Sequence, residues 1–204
     1  MHITILDENQ QALLPFLSKF RRSFYLVEGT AIALHIGHRR SIDFDLFTPS
    51  KINKTRIKAA LRELNQPQKL IGEDIDQLHL LITNVKVTFF HYPFLIEHPE
   101  KMSNGLTFPS LLTLAAMKAF ALGRRSKWKD YVDLYFILKE FYTLTEISKQ
   151  AHSIFSDQFS EKLFREQIAF HKDIDYSEEV EYVIPHPPTE NEIKEFLIQT
   201  AINF

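Results

Sequence analysis

The sequence predicts an α+β fold in two parts, a mixed-sheet core over residues 1–108 and a smaller helical lobe over residues 109–204. Before Tyr92, short runs of branched and aromatic residues, which are typical of strands, alternate with helical patterns. The next stretch contains four residues that break regular structure: Pro93, Pro99, Gly105 and Pro109. Beyond it the pattern is helical, and this change marks the expected boundary between the two parts.

The composition is that of an ordinary globular protein. Of the 204 residues, 45% are hydrophobic and 25% are charged, which excludes a disordered or fibrous chain. The chain has no cysteine, so disulfides and thiolate metal sites are excluded. No apolar run approaches the length that spans a bilayer, and the charged start does not resemble a signal peptide. We therefore expect a cytoplasmic protein with no membrane partner.

The core is expected to begin with two helix–strand pairs and a further helix, at residues 8–21, 23–27, 30–36, 41–47 and 53–65. Residues 24–27 are an apolar, aromatic and branched run, which is typical of a buried strand. Gly29 and Thr30 then open the short apolar helix. Gly37 is placed to end that helix in a left-handed conformation.

The acidic strand at residues 41–47 carries the first candidate site. Because side chains alternate faces along a strand, Asp43 and Asp45 project together while the apolar residues beside them face the other way. Two neighbouring carboxylates repel each other and need a partner. Mg²⁺ prefers oxygen ligands and is commonly held by one or two carboxylates plus substrate phosphates. The pair therefore predicts a metal site for Mg²⁺, with Mn²⁺ as an alternative.

The turn before this strand predicts a phosphate site. Unpaired N–H groups and the positive end of the helix dipole favour an anion at a helix start, and Gly29 allows close backbone approach. Phosphate is therefore expected at Gly29 and Thr30. His38, Arg39 and Arg40 follow the helix, where cations can steer or neutralise a triphosphate. A glycine turn, a short helix and an Asp-x-Asp strand in this order indicate nucleotidyl transfer.

Two further strands are expected at residues 77–82 and 85–91. Thr83 and Asn84 form a two-residue connection between them, which is typical of a hairpin. Asp74 and Asp76 lie just before this hairpin, and we interpret them as a polar loop edge in preference to a second metal pair.

Helices are expected from Ser110 to about Gly123, then over a segment that carries Asp130 and Asp133, and finally at residues 144–151, 160–170 and 191–202. Lys118 lies within the first of these apolar helices, where its stem packs and its ammonium reaches water in the simplest interpretation. Asp130 either complements the helix dipole, pairs with Lys118 or takes part in catalysis.

Local basic clusters are the only expected contacts to nucleic acid, because phosphate binding requires clustered Lys and Arg and the net charge is −2. The clusters are Arg21-Arg22, His38-Arg39-Arg40, the set Lys51, Lys54, Arg56, Lys58 and Arg62, and the run 124–129. We interpret the 51–62 set as solvated surface, since its charges are spread around the helix. The 124–129 run, between two helices, is expected to close over a nucleotide.

Four segments carry a family resemblance. Residues 24–47, 85–94, 114–118 and 129–138 resemble the motifs of the nucleotidyltransferase-like AbiEii/AbiGii toxin family, within the polymerase-beta-like nucleotidyltransferase superfamily. We expect the chain to move a nucleoside monophosphate from a nucleoside triphosphate (NTP) to an RNA, such as transfer RNA, or to a protein, and a small-molecule acceptor stays open. The resemblance implies a metal-dependent nucleotidyltransferase fold that uses Mg²⁺ and an NTP. It also implies a toxin with a cognate antitoxin as its partner.

The resemblance also implies roles for individual residues. Asp43 and Asp45 are the expected metal ligands, and they are catalytic together with Lys118 and Asp130. The residues expected to bind the nucleotide are Gly29, Thr30, Arg39, Arg40, Ser41 and Arg125. Lys118, with Arg125, is expected to hold phosphate and to stabilise the leaving group.

Two departures from the superfamily pattern leave a second hypothesis open. Glu28 precedes Gly29 where small residues are usual, and Thr88 stands where many members carry a third catalytic carboxylate. A hydroxyl is not a strong general base, so activation of the acceptor would fall to Asp45 through the metal, or to Asp130 or Glu28. The alternative function is a catalytically weakened module that binds a nucleotide or a partner.

Overall fold

A computed structural model describes residues 1–122 and 124–203. It divides the chain into two compact units. The core unit comprises Met1–Ile36 and Arg40–Ser110, and the helical unit comprises Gly37–Arg39 and Leu111–Phe204. A three-residue segment before the acidic strand therefore belongs to the helical unit, although the chain around it belongs to the core unit.

The core unit contains three helices and a five-stranded sheet. The helices are α1 (Glu8–Ser18), α2 (Glu28–Ile36) and α3 (Lys54–Arg62). The strands of the sheet are β1 (Tyr25–Val27), β2 (Asp43–Thr48), β3 (Gln68–Asp74), β4 (Gln77–Ile82) and β5 (Val85–His91). A separate two-stranded pair consists of β6 (Glu100–Lys101) and β7 (Thr107–Phe108).

The strand order of the larger sheet is β1-β2-β5-β4-β3. β2 pairs with β5 in parallel, and every other pairing is antiparallel. The predicted α+β class with a mixed sheet is therefore confirmed. β4 and β5 occupy the predicted ranges and are joined through Thr83 and Asn84, both of which have positive φ, as two-residue hairpin turns require.

β6 and β7, in a stretch predicted to be irregular, and one strand of the larger sheet were not predicted. β3 lies at the sheet edge, is mostly exposed, and contains a bulge between Leu70 and Gly72. A strand is identified in a sequence by alternating apolar and polar residues. β3 lacks this alternation because both of its faces are mostly exposed and the bulge shifts its register. Asp74, interpreted as part of a loop, is the last residue of this strand.

The start of β2 is held in place by α1. Asp7 and Gln10 form a capping box at the first turn of α1. The Gln10 side chain, which is buried, also donates a hydrogen bond of 2.6 Å to the main-chain oxygen of Ser41. This bond fixes the backbone just before the acidic strand begins.

The helical unit contains α4 (Leu111–Leu122), α5 (Trp128–Glu140), α6 (Leu144–Phe155), α7 (Glu161–Ala169) and α8 (Glu190–Ile202). The predicted helices are all present, and the predicted end of the first at Gly123 lies outside the described residues. α4 packs on α6, and α7 packs on α8. Among the described residues, no helix combines the length and the hydropathy needed to cross a bilayer.

Candidate active site

β2 presents two carboxylates on one face of the sheet. Asp43 and Asp45 are half-buried, whereas Phe44 and Leu46, which point to the opposite face, are fully buried. The apolar face anchors the strand in the core, and the two carboxylates lie on the opposite, half-buried face. The expected alternation along β2 is therefore present.

The neighbours of the two carboxylates come from β5. In the parallel register, Asp43 lies opposite Lys86 and Asp45 lies opposite Thr88. Thr88 stands where many superfamily members carry a third carboxylate. It lies directly beside Asp45, and its side chain is buried. Within residues 1–122 and 124–203, no group of three or more His, Asp or Glu side chains is arranged to hold a metal ion.

Thr30 and Ser41 order the start of the acidic strand. The Thr30 hydroxyl donates to the main-chain oxygen of Asp43. The Ser41 hydroxyl lies 2.9 Å from the same Thr30 oxygen, and both side chains are buried. Both residues were predicted to bind the nucleotide, Thr30 through phosphate, and their hydroxyls bind each other while that of Thr30 also binds the β2 backbone.

The turn into α2 has its unusual backbone conformation at Glu28 and not at Gly29. α2 begins at Glu28, which has a φ of 61°, whereas Gly29 lies inside the first turn and is buried. A positive φ is unusual for a residue with a side chain, and such strain clusters at functional sites. Gly37 has a φ of 75° and ends the helix in the predicted left-handed conformation.

A histidine that the sequence interpretation missed lies on the acidic face. His79 on β4 lies opposite Thr88, so Asp45, Thr88 and His79 form a row across three adjacent strands. The His79 Nδ1 atom is 3.1 Å from the Thr88 hydroxyl oxygen. The predicted two-residue turn already pairs positions 79 and 88, so the hairpin register was the signal that could have identified it.

The surroundings of His79 fix its chemistry. Its Nε2 atom is 3.1 Å from the Gln77 side-chain oxygen, and in the tautomer that carries its proton on Nε2 the Nδ1 atom accepts from Thr88. Burial lowers the pKa of His79 below its ordinary value of 6.5, and the nearby Lys86 lowers it further. His79 is therefore a neutral acceptor that holds the Thr88 hydroxyl.

Arg39 lies in the helical unit and is bound by Asp133. Its Nε atom donates to Asp133 Oδ1 at 2.7 Å, and a terminal nitrogen donates to Oδ2 at 2.8 Å. His38 Nε2 lies 2.8 Å from the same Oδ1 atom, and all three residues are buried. Asp133 occupies the fork of Arg39 and fixes its guanidinium, and the nucleotide contact predicted for Arg39 stays a prediction.

Lys118 and Asp130 belong to the same buried cluster. The Lys118 ammonium, whose residue is 3% exposed, lies 2.6 Å from Asp130 Oδ1 and 3.2 Å from Asp133 Oδ2. The interpretation in which the ammonium reaches water is wrong, because two carboxylates replace the water. Of the three roles considered for Asp130, pairing with Lys118 is observed, and half-exposed Arg125 also donates to Asp130, at 3.1 Å.

Asp133 is the centre of this cluster, although no role at the site was predicted for it. Burial alone raises the pKa of a carboxyl group, but Arg39 and Lys118, with hydrogen bonds from His38 and Arg39, hold the pKa of Asp133 well below its ordinary value. Asp133 is therefore a permanent anion that ties Gly37–Arg39 to α4 and α5.

The predicted site residues thus fall into two groups. The core unit holds Gly29, Thr30, Arg40, Ser41, Asp43 and Asp45, and the helical unit holds Arg39, Lys118, Arg125 and Asp130. Arg40 is half-buried. The first group supplies an acidic face and a helix start, and the second supplies cations already paired with carboxylates.

Comparison with known families gives a match over more than half of the chain. The model of the family described as "Nucleotidyl transferase AbiEii toxin, Type IV TA system" matches residues 82–201. The match covers β5 and the five helices of the helical unit, and Asp43 and Asp45 lie before it. An uncharacterized protein of Aquifex aeolicus (strain VF5) is 36% identical over 131 residues, which is 62% of this chain and 63% of that relative's length.

Solved structures share the fold at low identity. MenT4, a nucleotidyltransferase toxin of Mycobacterium tuberculosis H37Rv, is similar over 94% of this chain and 81% of its own, with a TM-score of 0.63 and 13% identity. The protein JHP933 of Helicobacter pylori is similar over 96% of this chain and 91% of its own, with a TM-score of 0.54 and 15% identity.

Proposed function

The chain belongs to the AbiEii family of nucleotidyl transferase toxins of type IV toxin–antitoxin systems, and from this premise we propose that it transfers a nucleoside monophosphate from an NTP to a macromolecular acceptor. Pyrophosphate is the second product. The observation that carries the proposal is the half-buried acidic face of β2, where Asp43 and Asp45 share one face of an interior strand of the sheet. A cognate antitoxin is the proposed partner.

Asp43 and Asp45 fit a divalent cation. Two carboxylates on one strand face, completed by substrate phosphates, are an ordinary ligand set for Mg²⁺, and Mn²⁺ takes similar oxygen ligands. Such an ion, when bound, neutralises the charge that develops on the phosphoryl group. Thr30 and Ser41, with Gln10 behind them, hold the backbone of β2 so that the two carboxylates stay in register.

The start of α2 is the proposed binding position for the triphosphate. Main-chain N–H groups at Gly29 and Thr30 lie in the first turn of the helix, where the dipole favours an anion. Arg40, in the same unit, is the proposed cationic contact, and the contact predicted for Arg125 stays a prediction. The phosphate contact predicted for Lys118 stays a prediction.

His79 is the proposed positioning residue for activation of the acceptor hydroxyl. As the acceptor oxygen bonds to the α-phosphorus and the bond from that phosphorus to pyrophosphate breaks, the acceptor proton passes to Thr88 Oγ1. The Thr88 hydroxyl proton passes in turn to His79 Nδ1, which is 3.1 Å away. A neutral histidine behind the hydroxyl thus supplies the basicity that Thr88 lacks.

The binding step is tested by thermal unfolding with each NTP, with and without Mg²⁺. We expect one or more triphosphates to raise Tm by about 5–10 °C at a hundredfold excess over Kd, and only with the metal. Asp43→Asn/Asp45→Asn should lose the metal-dependent increase. An increase of equal size in this variant would contradict the metal site, and binding without transfer would favour the alternative, a weakened nucleotide-binding module.

The role of His79 is tested by the pH profile of the transfer rate. Since only neutral His79 can accept a proton and its pKa is lowered, activity should be retained above pH 6.5 and fall as the pH drops through that lower pKa. His79→Gln should lose at least about a hundredfold in kcat and abolish this acidic limb. His91→Gln, on the same hairpin, is the matched control, and an unchanged acidic limb in His79→Gln would refute the role.

A further inference from the structure

Two basic clusters that are separate in the sequence meet at one cavity of the core unit. The cavity has a volume of about 350 Å³ and is lined by the turn after α1, the ends of β1 and β2, and α3. Arg21 and Arg22 line it from the turn after α1. Lys51 lines it from the segment after β2, and Arg56 lines it from α3. Lys51 and Arg56 are exposed, as expected for solvated surface, and they also line this cavity.

These four cations have no carboxylate partner among the described residues. Arg21 and Arg56 donate to main-chain oxygens of Ser18 and Lys19, at 3.0 and 3.4 Å. Neighbouring lysines are paired, since Lys19 binds Glu63 and Lys58 binds Glu73. In a chain with a net charge of −2, this cavity wall is a local concentration of unneutralised positive charge.

A buried hydroxyl at the cavity also lacks a partner. Tyr25 lines the cavity and is 2% exposed, and its hydroxyl makes no hydrogen bond within the described part of the chain. Burial raises the pKa of Tyr25, so the hydroxyl stays protonated and can donate. An unsatisfied buried donor is costly unless a ligand or water accepts its hydrogen bond.

An exposed ring extends the site. The His98 ring stacks on Tyr25 with centroids 4.7 Å apart and planes at 12°. His98 is exposed, so a planar group can stack on it from solvent. Basic grooves combined with stacking rings are typical of proteins that bind single-stranded nucleic acid.

We propose that this cavity binds a phosphate and an adjoining base of a single-stranded nucleic acid. The four cations hold the phosphodiester, the Tyr25 hydroxyl donates to it, and His98 stacks on the base. Neither Asp43 nor Asp45 lines the cavity, and Tyr25 and Thr48 lie at the end of the β1–β2 pair that is farther from Asp43. The proposal goes beyond nucleotidyl transfer and does not depend on it.

The test measures binding of a short fluorescein-labelled oligouridylate by anisotropy, with EDTA and without NTP, so that the result is independent of transfer. Arg22→Ala/Lys51→Ala should raise Kd at least tenfold and reduce the slope of log K against log salt concentration by about 1.4. Lys149→Ala/Lys162→Ala removes two exposed cations elsewhere and should leave both values unchanged. Equal affinities of the two double variants would overturn the proposal.

Two further measurements test the hydrogen bond from Tyr25 and the kind of ligand that binds. Tyr25→Phe removes only the unpartnered hydroxyl, so it should weaken oligouridylate binding severalfold while Tm stays the same or increases. Unchanged affinity with a lower Tm would show that the Tyr25 hydroxyl has only a structural role, and it would contradict the proposed binding site. Uridine monophosphate should compete much more weakly than the oligonucleotide, and equal competition would identify a free-nucleotide site and overturn the proposal for a strand.

Discussion

Asp133→Asn is expected to lower the free energy of unfolding by about 3–5 kcal/mol, because it leaves two buried cations without their shared anion. Arg39 is 3% exposed and donates two hydrogen bonds to the Asp133 carboxylate, and the Lys118 ammonium lies 3.2 Å from it. The amide keeps the shape of the side chain but not its charge. Urea unfolding measures the difference, with Asp157→Asn, at an exposed carboxylate of the same unit, as the control.

The pH dependence of the free energy of unfolding is a second test of the same cluster. Because the folded-state pKa of Asp133 lies well below 3.8, its stabilisation is complete above the unfolded-state pKa and is lost as pH falls through the lower folded value. The gap in free energy of unfolding between wild type and Asp133→Asn should therefore be constant near neutral pH and shrink only under acid conditions. A gap below about 1 kcal/mol at pH 7 would contradict the account of this cluster.

Asp43→Asn and Asp45→Asn are each expected to reduce the transfer rate about a thousandfold or more, because each removes a charge that holds the proposed metal and its phosphates. Both side chains lie on the polar face of β2, so the fold should survive the change. Tm should change by only a few degrees, since the amide keeps the shape of the side chain. Asp76→Asn, an exposed carboxylate of the same unit, should retain full activity.

Loss of folding in either variant would leave the rate uninterpretable on its own, so circular dichroism accompanies each measurement. A folded Asp45→Asn protein with more than a tenth of wild-type activity would contradict the assignment of this residue as a metal ligand.

Local patterns predicted much of the core unit. The Asp-x-Asp alternation, the left-handed Gly37 and the β4–β5 hairpin follow from rules that act within a few residues. The family resemblance is confirmed for the same reason, since it is carried by short motifs in fixed order. The helices of the second part were predicted from periodicity and breakers alone.

Long-range pairing could not be predicted. Asp133 lies 94 residues from Arg39, and nothing in the local sequence shows that it occupies the arginine fork. The burial of the Lys118 ammonium and the meeting of Arg22 with Lys51 at one cavity likewise depend on packing. The strain at Glu28 is a property of the tertiary fold, because a residue with a side chain does not prefer a positive φ.

The most direct test of the central claim is transfer itself. Purified protein is incubated with each α-labelled NTP, Mg²⁺ or Mn²⁺, and total cellular RNA and protein, and the label in each macromolecule and the pyrophosphate released are counted. The account predicts label in one acceptor class, one pyrophosphate per label, and neither product with EDTA or with Asp43→Asn/Asp45→Asn. Absence of label from every triphosphate with either metal, in protein that is folded, would contradict it.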